Sequence, residues 1–173
     1  ITPVDTQLYD SRVRNFIKNA KYFEKQSLSI LISAEYINDT LIKHMSEDFS
    51  PYVLQLSKAV ESELLLKLFV PFTNFIRTEN PHTEITYEDD LTNKQTSLFA
   101  KMIVNNRTTY TLGNMVFILS SLSKDNLVDK SELLNDFYYY IDENFTHRLH
   151  SDNFISDLNE LLKKFRNKSA HTH

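Results

Sequence analysis

A single glycine, Gly113, and four prolines among 173 residues leave this chain little with which to build a sheet protein. Hairpin turns draw on Gly because their central residues need positive φ. Phosphate-cradling loops need it for close approach of the backbone. With Leu, Ile, Lys, Glu, Asn and Ser dominating the rest, the composition favours an all-α fold. A chain of this length buries one sizeable core, so the expectation is a single helical domain over residues 1–173, a bundle of five to seven helices.

The absence of cysteine removes disulfides, thiolate catalysis and Cys-based zinc sites together, which fits a reducing compartment. The apolar stretches are far shorter than a membrane span, and no signal-peptide pattern opens the chain. A cytoplasmic location without a membrane partner is expected. A net charge of −4 argues against a protein that coats nucleic acid through its overall field.

Helical periodicity runs through most of the chain. Ile30, Ala34, Ile37, Leu41 and Met45 recur at spacings of three and four, predicting a helix over 27–45 with one apolar face. The preceding stretch, 5–25, places Leu8, Val13, Phe16, Ile17, Ala20 and Phe23 loosely in register and reads as an N-terminal helical extension over 1–26. Ser50-Pro51 predicts a helix start, with Ser at the N-cap and Pro at the first position, where its missing N–H costs nothing. That helix is expected to end at about Val70, before Pro71. Residues 78–95 turn polar and acidic, with Glu88, Asp89 and Asp90 in what reads as a solvated loop. Thr111 and Ser131 open two further apolar runs. In the second, Phe137-Tyr138-Tyr139-Tyr140 circles the helix, so some of these rings must pack in a core or at an interface.

The last periodic run sets Phe154, Leu158, Leu161 and Phe165 on one stripe, with Ser151 or Asp152 as its cap. At about 100° per residue, Arg166 falls roughly 90° from the centre of that stripe and His171 roughly 130° away on the other side. Lys163, Lys164, Arg166 and Lys168 put four cations in the final eleven residues, with no acid after Glu160. The plain reading of the lysines is a helix C-terminus complementing its own dipole. A second Arg and His at the same spacing, Arg77 and His82, is broken by Pro81 and reads as chance.

The sextet Arg166-Asn167-Lys168-Ser169-Ala170-His171, at the end of a late helix in an all-helical chain, resembles the HEPN superfamily of ribonucleases and nucleotide-binding domains. Its hallmark is Arg, four to six residues, then His. Asn167 matches the polar residue that commonly follows the Arg. Lys58 to Leu64 is similar to the family's second helix, which often carries an acid near the active site; Glu61 is the first choice and Glu63 the second. Tyr110 to Met115 is similar to the start of a later family helix. The resemblance implies a HEPN-type bundle with its core over 27–173. Where antitoxin-paired members commonly carry a Tyr two residues after the His, this chain has His173.

RNA supplies its own nucleophile, the ribose 2′-OH, so cleavage needs an acid, a base and cations facing the phosphate, with no metal or other cofactor. Arg166 would hold the phosphate and stabilise the transition state. His171 would act as general base or acid. Asn167 and Glu61 would support them, and Lys163, Lys164 and Lys168 would bind RNA. One helix offers one Arg and one His, so the resemblance implies two motifs forming a composite cleft, in a homodimer or in a pairing with another HEPN domain, that cleaves RNA to a 2′,3′-cyclic phosphate and a 5′-hydroxyl. A toxin or antiviral-defence role, with an antitoxin or sensor domain as further partner, is what the family suggests. The alternative is a catalytically silent HEPN module for nucleotide binding or dimerisation in a larger assembly. His147 and His150 could join His171 and His173 around a metal, but no His-Glu or His-Asp arrangement accompanies them.

Overall fold

The computed structural model describes residues 3–79, 87–107, 109–147 and 149–166. Within them the chain is helical and contains no strand. It divides into two compact units, one running up to Glu63 and resuming at Glu160, the other spanning Leu64–Asn159.

The first unit holds α1 (Pro3–Phe16), a 3₁₀ turn (Ala20–Tyr22), α2 (Lys25–Lys43) and nearly all of α3 (Ser50–Leu64). Val13, Ala20, Leu31 and Ala59 form its core, with Ile17, Phe23, Leu28 and Leu56 packed around them. The N-terminal helix stops earlier than its sequence suggests. Leu8 is half exposed and Phe16 is 88% exposed, so the loose register does not translate into a buried face. Tyr9 is the ring that turns inward: its hydroxyl donates to Asp39 at 2.8 Å. Arg12 and Lys43 each reach the same carboxylate at 3.2 Å. The Tyr9 hydroxyl, with Lys43 and Arg12, holds the Asp39 carboxyl down at about 2.

Helix α2 shows how a chain nearly without glycine ends a helix. Met45 adopts the left-handed conformation at φ 51°. Its N–H donates to the Ile42 carbonyl, and that of Ser46 to Leu41, satisfying orphan carbonyls as in a Schellman cap. The sequence spacing puts Met45 on the apolar face; it is instead 91% exposed because it lies beyond the helix. Helix α3 begins one residue before its expected start. The Asp48 carboxylate accepts the Ser50 N–H at 2.8 Å, and Phe49 supplies the first carbonyl, to Val53. Pro51 remains in the first turn, where a donor is not needed.

The second unit begins with a π turn (Leu65–Phe69) that passes directly into α4 (Val70–Glu79). Pro71 therefore does not end the helix. A proline lacks an N–H and crowds the carbonyl four residues back. The π turn, in which the Val70 N–H reaches the Leu65 carbonyl, absorbs that misfit. After α5 (Glu88–Thr92) and α6 (Ser97–Val104) come α7 (Leu112–Leu122), α8 (Asp125–Val128), α9 (Glu132–Asn144) and α10 (Asp152–Glu160). Among the described residues the helices thus outnumber the five to seven expected: the π turn divides α3 from α4, α5 and α8 are too short to leave a periodic signal, and no helix is expected from sequence where α6 lies.

Thr111 caps α7 in a reciprocal box with Asn114, and the Ser131 hydroxyl accepts the Leu134 N–H of α9 at 3.0 Å. From α9, Phe137 reaches Phe72 of α4 and Phe99 of α6. Phe69, Phe72, Phe99 and Phe137 meet at ring-centroid distances from 4.6 to 6.0 Å, with Tyr110 and Tyr140 at the margin. Of the aromatic run in α9, Phe137 and Tyr140 are buried while Tyr139 faces solvent.

Candidate functional site

The run that leads to the terminal motif begins in helix α10, where Ile155 and Leu158 are buried and the Ile155 N–H donates to the Ser151 carbonyl at 3.0 Å. From Leu161 to Arg166 the backbone is a π turn. Its hydrogen bonds run five residues rather than four, so the 100° step used to place Arg166 from sequence ceases to apply beyond Glu160. Lys163 is exposed at the start of the basic run. The side chains of Lys164 and Arg166, and Asn167, Lys168 and His171 altogether, lie outside the described residues, as does His173.

Glu61, the acid matched to the family's second helix, is half-buried near the end of α3 and falls in the same compact unit as Lys163 and the backbone of Arg166. Glu63, the second choice, accepts the backbone N–H of Glu24, the residue that opens α2, at 3.1 Å. It ties α3 to the start of α2. Arg77, of the discounted Arg/His pair, donates Nη2 to the Ile103 carbonyl at 3.3 Å; His82 is outside the described residues. The His150 ring lies 4.7 Å from that of Tyr138. Among the described residues no three His, Asp or Glu side chains form a group able to hold a metal.

The acidic stretch that reads as a solvated loop is instead partly structural. Asp90, in α5, is 3% exposed. One carboxylate oxygen accepts from the Ser131 hydroxyl at 2.5 Å and the other from the Leu133 N–H at 3.1 Å. Thr96 donates to the Asp90 carbonyl at 3.0 Å. An acid at the N-terminus of α9 is favoured by the helix dipole; this one comes from another helix, so sequence spacing gives no hint of it. Beside it Tyr87, left-handed at φ 38°, donates its hydroxyl to Asp136 at 2.8 Å. Burial and the Asp136 carboxylate push the Tyr87 phenol well above its usual range. Burial raises the Asp136 carboxyl, partly offset by the Tyr87 hydrogen bond. A cleft of about 490 Å³ opens over Tyr87, Asp90 and Ser131, rimmed by the exposed Glu88, Asp129 and Glu132.

A second cleft, of about 520 Å³, lies in the first unit between α1, α2 and the start of α3, and is lined by Arg12, Asn15, Phe16, Glu35, Asn38 and Tyr52. Its polar groups come from three helices, and Tyr52 donates to Glu35 at 3.3 Å across it. Comparison with known proteins returns no match to a protein-family model, a curated protein or a solved structure.

Proposed function

We propose that the chain is a HEPN-type endoribonuclease that cleaves RNA without metal, through attack of the 2′-OH at a site built from Arg166 and His171. The observation that carries this reading is the sextet from Arg166 to His171, which follows an apolar-striped helix in an all-helical chain. The backbone remains helical to Arg166, and Glu61 belongs to the same unit as that turn, both of which suit the reading. Arg166 binds the phosphate and offsets the charge that builds on its oxygens; His171 moves the proton. Acid and base on opposite sides of the phosphate come from two copies of the motif in a homodimer, with toxin or antiviral-defence action as the biological setting.

The test is gel analysis of RNA incubated with the purified chain in EDTA, beside the Arg166→Ala/His171→Ala variant. Cleavage that persists in EDTA, leaves a 2′,3′-cyclic phosphate and disappears in the variant is the expected result. Cleavage by both proteins alike, or cleavage that EDTA abolishes, would overturn it.

A further inference from the structure

The chain is acidic overall, yet its sign reverses locally at the end of α1. Between Asp10 and Lys25 the sequence carries Arg12, Arg14, Lys18, Lys21 and Lys25, five cations against the carboxylates of Asp10 and Glu24. All five cations are exposed. Arg14 and Arg12 are drawn to Asp10 and Asp39, whereas Lys18, Lys21 and Lys25 make no ion pair among the described residues. Two large rings stand out in the same stretch: Phe16, 88% exposed, and Tyr22, 63% exposed, the latter with the Lys21 ammonium 4.8 Å from its ring centre. A hydrogen-bonded turn joins them, with Ala20 donating to Ile17 and Tyr22 to Asn19.

Exposed aromatic rings interleaved with cations that lack an acidic partner suit one kind of ligand in particular. Unstacked bases gain by lying on a ring whatever their sequence, and the phosphates between them are drawn to the lysines. A duplex, whose bases are already stacked, gains only the second. Phe16 also forms a wall of the 520 Å³ cleft, where Asn15 and Asn38 offer amides that make no hydrogen bond among the described residues. Such amides pair with base edges through one donor and one acceptor.

We infer that the surface formed by Phe16, Tyr22, Lys18 and Lys21, with the adjoining Asn15/Asn38 cleft, binds single-stranded RNA. The choice of RNA over DNA rests on the proposed function; the patch itself lies apart in sequence from the terminal motif.

The experiment measures fluorescence anisotropy of a labelled single-stranded RNA of about a dozen nucleotides, long enough to span a typical single-strand site. The Arg166→Ala/His171→Ala chain is used in EDTA so that the probe is not consumed. Adding Phe16→Ala/Tyr22→Ala should weaken binding at least about tenfold, the loss expected for two stacking rings, with circular dichroism and melting temperature unchanged because both rings are exposed. Adding Lys18→Gln/Lys21→Gln instead should flatten the dependence of log K on log salt by about 1.4, roughly 0.7 for each phosphate no longer neutralised. Unchanged affinity in the aromatic variant would overturn the inference. So would equal binding of duplex or single-stranded DNA, binding to anionic phospholipid vesicles but not RNA, or an effect of the aromatic variant on oligomeric state instead. A chain that cleaves RNA but binds it equally with and without Phe16 and Tyr22 sinks the patch and leaves the nuclease standing; binding at the patch without cleavage does the reverse.

Discussion

Phe69, Phe72 and Phe137 are fully enclosed in the unit spanning Leu64–Asn159, whereas among the described residues of the unit before it the fully enclosed side chains are Ala20, Ser27, Ala34 and Ser57. The difference is one of material. In the second unit aromatic rings pack on one another, each removing a large apolar area from water and gaining further from edge-on and tilted contacts. In the first, the core is built from Val13 and Leu31 with the small Ala20, Ala34 and Ala59, and the rings of Phe16 and Tyr22 lie outside it. The second unit encloses Phe69, Phe72, Phe99 and Phe137 at its centre and leaves Phe117 and Tyr139 exposed, whereas in the first unit Tyr9 is buried and Phe16 and Tyr22 stand in water.

The contrast can be broken most directly at its strongest point. Phe72→Ala should cost about 3–5 kcal/mol, as truncation of a fully packed ring does, read as a lower urea midpoint. Leu31→Ala in the first unit should cost about 2–3 kcal/mol because partly buried neighbours can close over the gap. Equal losses would erase the distinction. Asp90→Ala should cost about 2–3 kcal/mol by stripping the charged acceptor from the Ser131 hydroxyl and the Leu133 N–H. Asp90→Asn, which keeps an acceptor, should recover part of that. If both leave the midpoint unmoved, α5 does not hold the start of α9.

Smaller effects test the glycine economy. Met45→Gly should stabilise by about 0.5–1 kcal/mol, the left-handed penalty removed less the entropy glycine adds to the unfolded chain. Gly113→Ala should gain a similar amount, about 0.5–1 kcal/mol, because a Cβ there meets only the Thr111 hydroxyl at 3.8 Å. Thermal melts would show both, and a loss at either position would contradict the backbone assignment.

The smallest expected effect is confined to acid. Asp39 titrates at about 2 in the folded chain, below the ordinary value of roughly 3.9. Its contribution is therefore complete above about pH 4 and is lost as pH falls through 2. Melting temperature followed from pH 5 down to about 2 should fall less steeply for Asp39→Asn than for the parent. Parallel curves would mean that the Tyr9, Arg12 and Lys43 interactions add nothing to the first unit.

Much of this fold is legible in the residues themselves. The scarcity of glycine predicts helix over hairpin, and Thr111 and Ser131 mark the helix starts they cap. The burial of Phe137 and Tyr140 against the exposure of Tyr139 follows from helical spacing. What failed to show has physical causes. Pro71 reads as a stop because its cost is local, while the π turn that accommodates it is a property of the preceding five residues. Phe16 reads as core because periodicity reports spacing and not where a helix ends. Asp90 reads as solvated because its partners, Ser131 and Leu133, are some forty residues away. The Arg/His motif is a sequence signal throughout, since the Arg166 side chain and His171 lie outside the described residues, and Glu61 shares with the Arg166 backbone no more than a compact unit.

By itself the sequence determined helix content and most of the longer helices' starts, because these depend on backbone propensity, capping and spacing within a few residues. Only the tertiary structure decided which acid would be buried and which ring would be left in water. Those outcomes depend on what distant segments bring to the same place, and on the free energy of burial that only their meeting supplies.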